Sequence, residues 1–181
     1  FNMVTFDNVR VPKKNLVGEQ NRGWYVGATL LDFERSGVDY SAGGRRVLEE
    51  LIAYAKDNDQ NGSLIASNAI MRNRLADLAI EVDVSRLISY NIAWMQGEGL
   101  VPNKESSMGK IVGTELQQHL SETGMQMLGL HGQLEPGSKY APMQGRIEHM
   151  HLTNVSETIQ AGTSEIQRNI IATRGLGLPR G

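Results

Sequence analysis

An all-α domain is predicted: a four-helix bundle with one extra short helix, preceded by a short remnant of β structure. Three features of the 181-residue sequence predict it. Apolar residues recur at spacings of three, four and seven over long stretches. The breaks between those stretches are short and polar or glycine-rich. Only the opening residues alternate with the period of a strand. A coiled coil is disfavoured because the apolar spacing holds no strict heptad and glycines interrupt it.

Residues 1 to 18 (FNMVTFDNVRVPKKNLVG) set Val4 and Phe6 against Met3, Thr5 and Asp7, and bring Val9 and Val11 up to Pro12, which predicts a half-buried strand. From Gly23 to Asp57, the residues Val26, Leu30, Phe33, Gly37, Gly44, Leu48 and Leu51 define one apolar stripe. That stripe predicts a single first helix of about 35 residues, some ~50 Å long. Gly37, Gly43 and Gly44 would each cost this helix about 0.5 to 1 kcal/mol relative to alanine, a cost that tight helix packing or close approach by a ligand would offset.

The polar run Asp57-Asn58-Asp59-Gln60-Asn61-Gly62 breaks the pattern. A second helix is predicted from Ala66 to Gln96, with Leu75, Leu78 and Val82 on one side and Val84, Leu87 and Ile88 on another, so that it is covered from both directions. A third begins near Lys104, where Met108, Val112, Leu116 and Leu120 lie four apart. Gly129 to Gly145 reads as a loop, followed by a short helix with Ile147, Met150 and Val155. The last helix opens near Thr163 and runs until Gly175 and Pro179 stop it.

Charged residues make up 21% of the chain and the formal net charge is −2, which argues against a nucleic-acid or polybasic membrane partner. With no cysteine there are no disulfides, thiolate nucleophiles or cysteine metal sites, so redox chemistry would need a cofactor. His149 and His151 face apart on a helix, and His119 and His131 have no acidic companion at ligand spacing, so no metal is expected. The methionines, Trp24 and Trp94 are read as packing residues. No apolar run has the length of a membrane span, and a cytoplasmic location is expected, or the mitochondrial matrix in a eukaryote. The strand-like opening at Phe1 reads as part of a longer polypeptide.

The stretch IQAGTSEIQR, residues 159 to 168, reads as a helix entrance with chemistry in front of it. Gly162 allows close backbone approach, and Ser164 with Gln167 fits a capping box, leaving backbone N–H groups to face a ligand. Ala161, just ahead of the glycine, can neither donate nor take a proton.

Three strings, FDNVRVP, LLDFER and GTSEIQRNIIATRGLGLPR, together resemble the C-terminal part of the acyl-CoA dehydrogenase family over essentially the whole chain. The resemblance implies that residues 1–20 end a middle β-domain and residues 21–181 form a C-terminal helical bundle. It implies an FAD-dependent enzyme acting on a CH–CH group, forming a trans-2 double bond in an acyl-CoA thioester. A carboxylate takes the α-proton, the β-hydrogen leaves as hydride to FAD, and an electron-transfer flavoprotein collects the electrons. In many members the base immediately precedes the Gly-Thr pair, where this chain has Ala161; in another branch it lies in a Glu-Arg pair on the first long helix, matched by Glu34-Arg35. Glu34 is therefore the expected base. By the same resemblance Asp32 and Arg35 line the acyl-CoA channel or form a structural salt bridge, and Gly162, Thr163 and Glu165 contact FAD.

The position of Glu34 is consistent with that role without the family. At about 100° per residue it lies roughly 40° from Leu30, on the flank of the apolar stripe. A carboxylate there is desolvated when an acyl chain fills the groove, which raises its basicity. Positions i−4 and i+4 are Leu30 and Val38, so no cation is available one turn away, although an ordinary surface glutamate remains the alternative.

The contacts that the family lends to a neighbouring subunit's flavin match less well. An expected arginine and aromatic fall on Asn58 and Asn61, a glycine falls on Leu130, and a glutamine is kept as Gln126. This pattern implies a homo- or hetero-tetramer, with α2β2 pairing in which a related subunit supplies the missing groups. Lacking the domains that cover the flavin, this region by itself is expected to be inactive. The alternatives are a non-catalytic assembly subunit and a flavin-dependent oxygenase on the same scaffold.

Overall fold

The structure, a computed structural model, describes residues 2–34, 37–60 and 62–179, and of Asp32 the backbone only. Arg35 and Asn61 lie outside the described residues, as does the side chain of Asp32. Among the described residues there are six α-helices: α1 (Gly23–Glu34), α2 (Val38–Asp57), α3 (Ala69–Gly97), α4 (Asn103–Leu128), α5 (Arg146–Glu157) and α6 (Ser164–Ile170). A two-residue antiparallel hairpin, β1 (Asp59–Gln60) and β2 (Ser63–Leu64), joins α2 to α3 with Asp59 opposite Leu64. No helix among the described residues is long and apolar enough to cross a membrane.

Helices α2, α3, α4 and α5 form the bundle, and α4 is its axis, packing against the other three and against α6. Leu48 and Leu51 of α2, Leu75 and Leu78 of α3, Leu116 and Leu120 of α4 and Ile147 of α5 meet in one buried core. Their spacings of three and four put each set on a single helix face. Helix α3 is started by Asn68, whose carboxamide oxygen accepts from the backbone N–H groups of Ile70 (2.9 Å) and Met71 (3.2 Å). Across the bundle, Arg146 of α5 reaches Glu50 of α2 through one nitrogen at 2.8 and 2.7 Å.

Several expectations are corrected. Residues 2–12 form no strand and are exposed throughout. A strand needs a neighbour to take its backbone hydrogen bonds, and its apolar side needs a surface; the described residues supply neither. The single long first helix is instead two, because Gly37 takes a left-handed conformation (φ 70°) and caps α2. On α2 the apolar stripe is buried, whereas on α1 Leu30 and Phe33 are exposed. The second apolar side of α3 is only partly covered here: Val84 and Leu87 are exposed and Ile88 is half-buried, while Trp24 and Trp94 are exposed.

The glycines divide by role. A Cβ on Gly44 would stand 3.2 Å from both Leu116 and Leu120, so packing explains that position, while Gly43 faces open space. The region read as a loop, Gly129 to Gly145, contains two 3-10 turns, Gly129–Gln133 and Pro142–Gly145.

Candidate active site

Two segments converge on the middle of α4, the start of α2 and the end of α5, while the end of α1 is tied to α3, where Gln96 Nε2 donates to the Phe33 carbonyl at 3.3 Å. Tyr40, in the first turn of α2, lays its ring on Gly113, and its carbonyl accepts from Gln117 Nε2 at 3.0 Å. Lys110, buried in α4, donates from Nζ to the carbonyl of Glu157 at 2.9 Å. Gln118 Nε2 donates to the Asn154 carbonyl and to Thr158 Oγ1, both at 3.2 Å, and Asn154 Nδ2 returns a bond to the Gln117 carbonyl at 2.8 Å. One face of α4 thus holds both the start of α2 and the end of α5, the two walls of the candidate site.

Glu34 is the last residue of α1 and is exposed. Among the described residues, no hydrogen bond or ion pair holds its carboxylate. Burial pushes the Tyr40 phenol up to about 12, helped by the carboxylates of Glu157 and Asp39, by a hydrogen bond to Glu157, and by Glu34. Glu157 and, most weakly, Glu34 therefore act on the same phenol. Because the folded state holds this proton more tightly than the unfolded chain, the stabilisation is complete below pH 10 and is lost as pH rises from 10 through about 12. Alkaline titration of stability is expected to show that loss in the parent protein and not in Tyr40→Phe.

The loop makes a sharp left-handed turn, with Ala161 at φ 52° and Gly162 at φ 94°. A left-handed alanine costs on the order of 1 kcal/mol, so the turn needs support. Gln167, fully buried, supplies it by donating from Nε2 to the carbonyls of Ala161 (3.1 Å) and Gly162 (3.2 Å). Ser164 N–H closes the loop on the Thr158 carbonyl at 3.0 Å.

The helix entrance differs from the expectation of free amides and of a Ser164–Gln167 capping box. Thr163 is the N-cap: its hydroxyl oxygen accepts from Ile166 N–H at 3.3 Å, and its carbonyl accepts from Gln167 N–H at 2.9 Å. The exposed Glu165 carboxyl is held below its usual range by the Thr163 hydroxyl donating to it, then by its own backbone N–H, with Arg168 and Lys110 adding. Three of the four entrance amides, 164, 166 and 167, are paired within the chain, and the Glu165 carboxylate stands beside the fourth. Such an entrance suits hydroxyl or amine donors of a ligand and disfavours its phosphates.

The structure brings Gly162, Thr163 and Glu165 together and leaves Gln126 apart. Arg168 of α6 binds Glu115 of α4 at 2.7 Å, and Gln126 lies eleven residues further along that helix, about 16 Å at the helical rise. Gln126 is exposed in a groove between α3 and α4 with Arg74, Glu81 and His119. His119 does gain an acidic companion there, Glu81 at 2.8 Å, from a different helix. Among the described residues, no group of three or more such side chains could hold a metal. Asn58 Nδ2 donates to the Tyr54 carbonyl at 3.0 Å, ending α2, and Leu130 is exposed. Tyr40, Lys110, Glu157 and the supporting use of Gln167 were missed from sequence. Lys110 carried a signal, a lone cation within the apolar and small run from Met108 to Gly113.

Comparison with known proteins gives the same frame. Residues 21–176 match the family model described as acyl-CoA dehydrogenase, C-terminal domain. The chain is 33% identical over 180 residues to acyl-CoA dehydrogenase FadE26 of Mycobacterium tuberculosis, covering 97% of this chain and 45% of that protein. It is 29% identical to the caffeyl-CoA reductase-Etf complex subunit CarC of Acetobacterium woodii, covering 93% of this chain and 43% of that protein. Among solved structures, a chain of the ChsE4-ChsE5 complex from Mycobacterium tuberculosis superposes with a TM-score of 0.84 at 33% identity, covering 97% of this chain and 46% of that one. The chain thus spans less than half the length of these relatives. With the bundle, the closing helix and the match from residue 21 to 176 in agreement, the chain belongs to the acyl-CoA dehydrogenase family and carries its C-terminal domain.

Proposed function

We propose that this chain forms the C-terminal part of an FAD-dependent acyl-CoA dehydrogenase that introduces a trans-2 double bond into an acyl-CoA thioester, with Glu34 as the base. One observation carries the reading: Tyr40 at the start of α2 sits on Gly113 of α4, and its phenol is influenced by Glu157 at the end of α5 and, most weakly, by Glu34. The position before Gly162 carries a methyl group, whereas Glu34 ends a helix with a carboxylate that no group among the described residues engages by hydrogen bond or ion pair. An acyl chain lying between the walls would strip water from that carboxylate and raise its affinity for the α-proton.

Gly162, with no side chain, and the Glu165 carboxylate beside the Thr163 hydroxyl fit the hydroxyl-bearing part of FAD, held by hydrogen bonds that the ligand donates. FAD, when bound, supplies the hydride acceptor for the β-hydrogen. Its pyrophosphate needs cations from elsewhere, and with Asn58 where the family has an arginine, those come from another subunit in this reading. A related but different chain as that subunit would make the assembly a hetero-tetramer, with electron-transfer flavoprotein as the electron acceptor. Asp32 and Arg35 are proposed to line the acyl-CoA channel. The domain division, residues 1–20 ending a β-domain and 21–181 forming the bundle, belongs to the same reading.

The test is anaerobic addition of a panel of acyl-CoA thioesters, bulky acyl groups included, to the complete protein with its partner subunit. Bleaching of the flavin with formation of the 2-enoyl-CoA is the expected result. A protein that binds flavin yet stays oxidised with every thioester overturns the dehydrogenase reading, and rapid reoxidation by oxygen with a hydroxylated product decides for an oxygenase. Flavin content below one per chain in the native complex is expected; a single polypeptide species with one FAD each defeats the heteromeric arrangement.

A further inference from the structure

Tyr40 is neither the expected base nor an expected flavin contact, yet it is firmly seated where the two walls meet. Its ring lies so close to Gly113 that a Cβ there would stand 2.6 Å from the ring edge and 2.9 Å from the Tyr40 Cβ. Such distances are not tolerated without a shift of the ring, because a Cβ on a helix is fixed by the backbone. The Tyr40 backbone is tied as well: its N–H donates to the Gly37 carbonyl at 3.2 Å, and its carbonyl accepts from Gln117 Nε2 at 3.0 Å. Gly37, left-handed and buried, caps α2 three residues before Tyr40 and stands three positions after Glu34 in the sequence.

The opposite wall is anchored to the same stretch of α4. Lys110 holds the Glu157 carbonyl and Gln118 holds Thr158, while Gln160 Nε2 donates to Glu157 Oε2 at 2.7 Å. Residues 110 to 118 span about two helical turns, so both walls are referred to one short rigid rod. Transfer of the substrate's α-proton to Glu34 depends on that common reference, since a misplacement of 1 Å costs on the order of 100-fold in rate.

We infer that Tyr40, seated on Gly113 and tied by Gln117, is a positioning residue for the proton-transfer step: it holds the start of α2, which follows Glu34 in the sequence, on the same stretch of α4 that anchors the end of α5. The inference rests on the reading of Glu34 as the base. Gly113 is the small residue that the seat requires.

The experiment uses the complete flavoenzyme. Gly113→Ala, which crowds the seat, is expected to lower kcat about 10- to 100-fold with KM within about threefold and flavin content unchanged. Tyr40→Ala, which empties the seat and does not crowd the helix, is expected to lower kcat to a similar degree. The double variant should lose no more than either single one, because alanine at 113 has nothing left to push once the ring is gone. The acid limb of the kcat profile should stay in place in each, since the base itself is unchanged. Losses that add in the double variant, or a kcat within about twofold of the parent in either single one, overturn the proposal. Glu34→Gln in the same assay separates the two ideas. If it keeps turnover, the base assignment fails and this inference with it; if it loses turnover while Gly113→Ala does not, only the positioning role falls.

Discussion

Glu34→Gln in the complete enzyme is expected to lower kcat by roughly 100- to 10,000-fold, the range that a positioned general base contributes, while KM and flavin content stay close to the parent values. Glutamine keeps the size of the side chain and loses only the ability to take a proton. The position tolerates the change structurally, because the residue is exposed at the end of α1 and, among the described residues, engages no partner. Stability should therefore move by no more than about 0.5 kcal/mol, as for surface substitutions away from special features. The informative measurement is single-turnover flavin bleaching, which isolates the C–H steps from product release. Bleaching at the parent rate would place the proton acceptor elsewhere. Glu157 would not be a natural replacement, since its carboxylate already accepts from Gln160 and serves Tyr40.

The largest expected loss of stability comes from Leu116→Ala, at about 3 to 4 kcal/mol within the range for buried leucine truncations. Leu116 is 0% exposed and stands with Leu120 against the bare backbone of Gly44. The void cannot collapse easily, because the long helices on either side are held by further core residues such as Leu51 and Leu75. Urea unfolding should show a lower midpoint at an unchanged slope. Leu30→Ala, on the exposed face of α1, should move it little. Gly44→Ala, unfavourable alone, should cost less in the Leu116→Ala background, where its added methyl enters the vacated space.

Much of the bundle could be read from residue spacing. The stripe of Leu48 and Leu51, and that of Leu116 and Leu120, mark buried faces whatever their partners are. The same spacing misled over residues 23 to 57, because periodicity counts positions and does not register a single backbone angle. The left-handed Gly37 splits the stripe, leaving Leu30 and Phe33 uncovered while Leu48 is buried. The strand expected before Pro12 was a statement about residues that suit a sheet, and no neighbouring strand is present to make one.

The closing loop divides in the same way. Gly162 and the hydroxyls after it marked a helix entrance correctly, but the cap is Thr163, and three of the four amides expected to face a ligand are already paired. Gln167 matched a capping pattern and instead supports a left-handed alanine from beneath. Its partners, the carbonyls of Ala161 and Gly162, are defined by the turn itself and have no trace in residue types.

By itself the sequence determined which faces are apolar, where chain breaks fall, and that Ala161 cannot take a proton while Glu34 can. These follow from side-chain chemistry and from the fixed repeat of a helix. Only the tertiary structure decided that Tyr40 meets Gly113 across 73 positions of sequence, that Lys110 holds the end of α5, and that both walls are referred to one stretch of α4. The reason is physical: such contacts depend on how rigid helices pack side by side, and the local pattern of residues fixes the helices without fixing the distances between them.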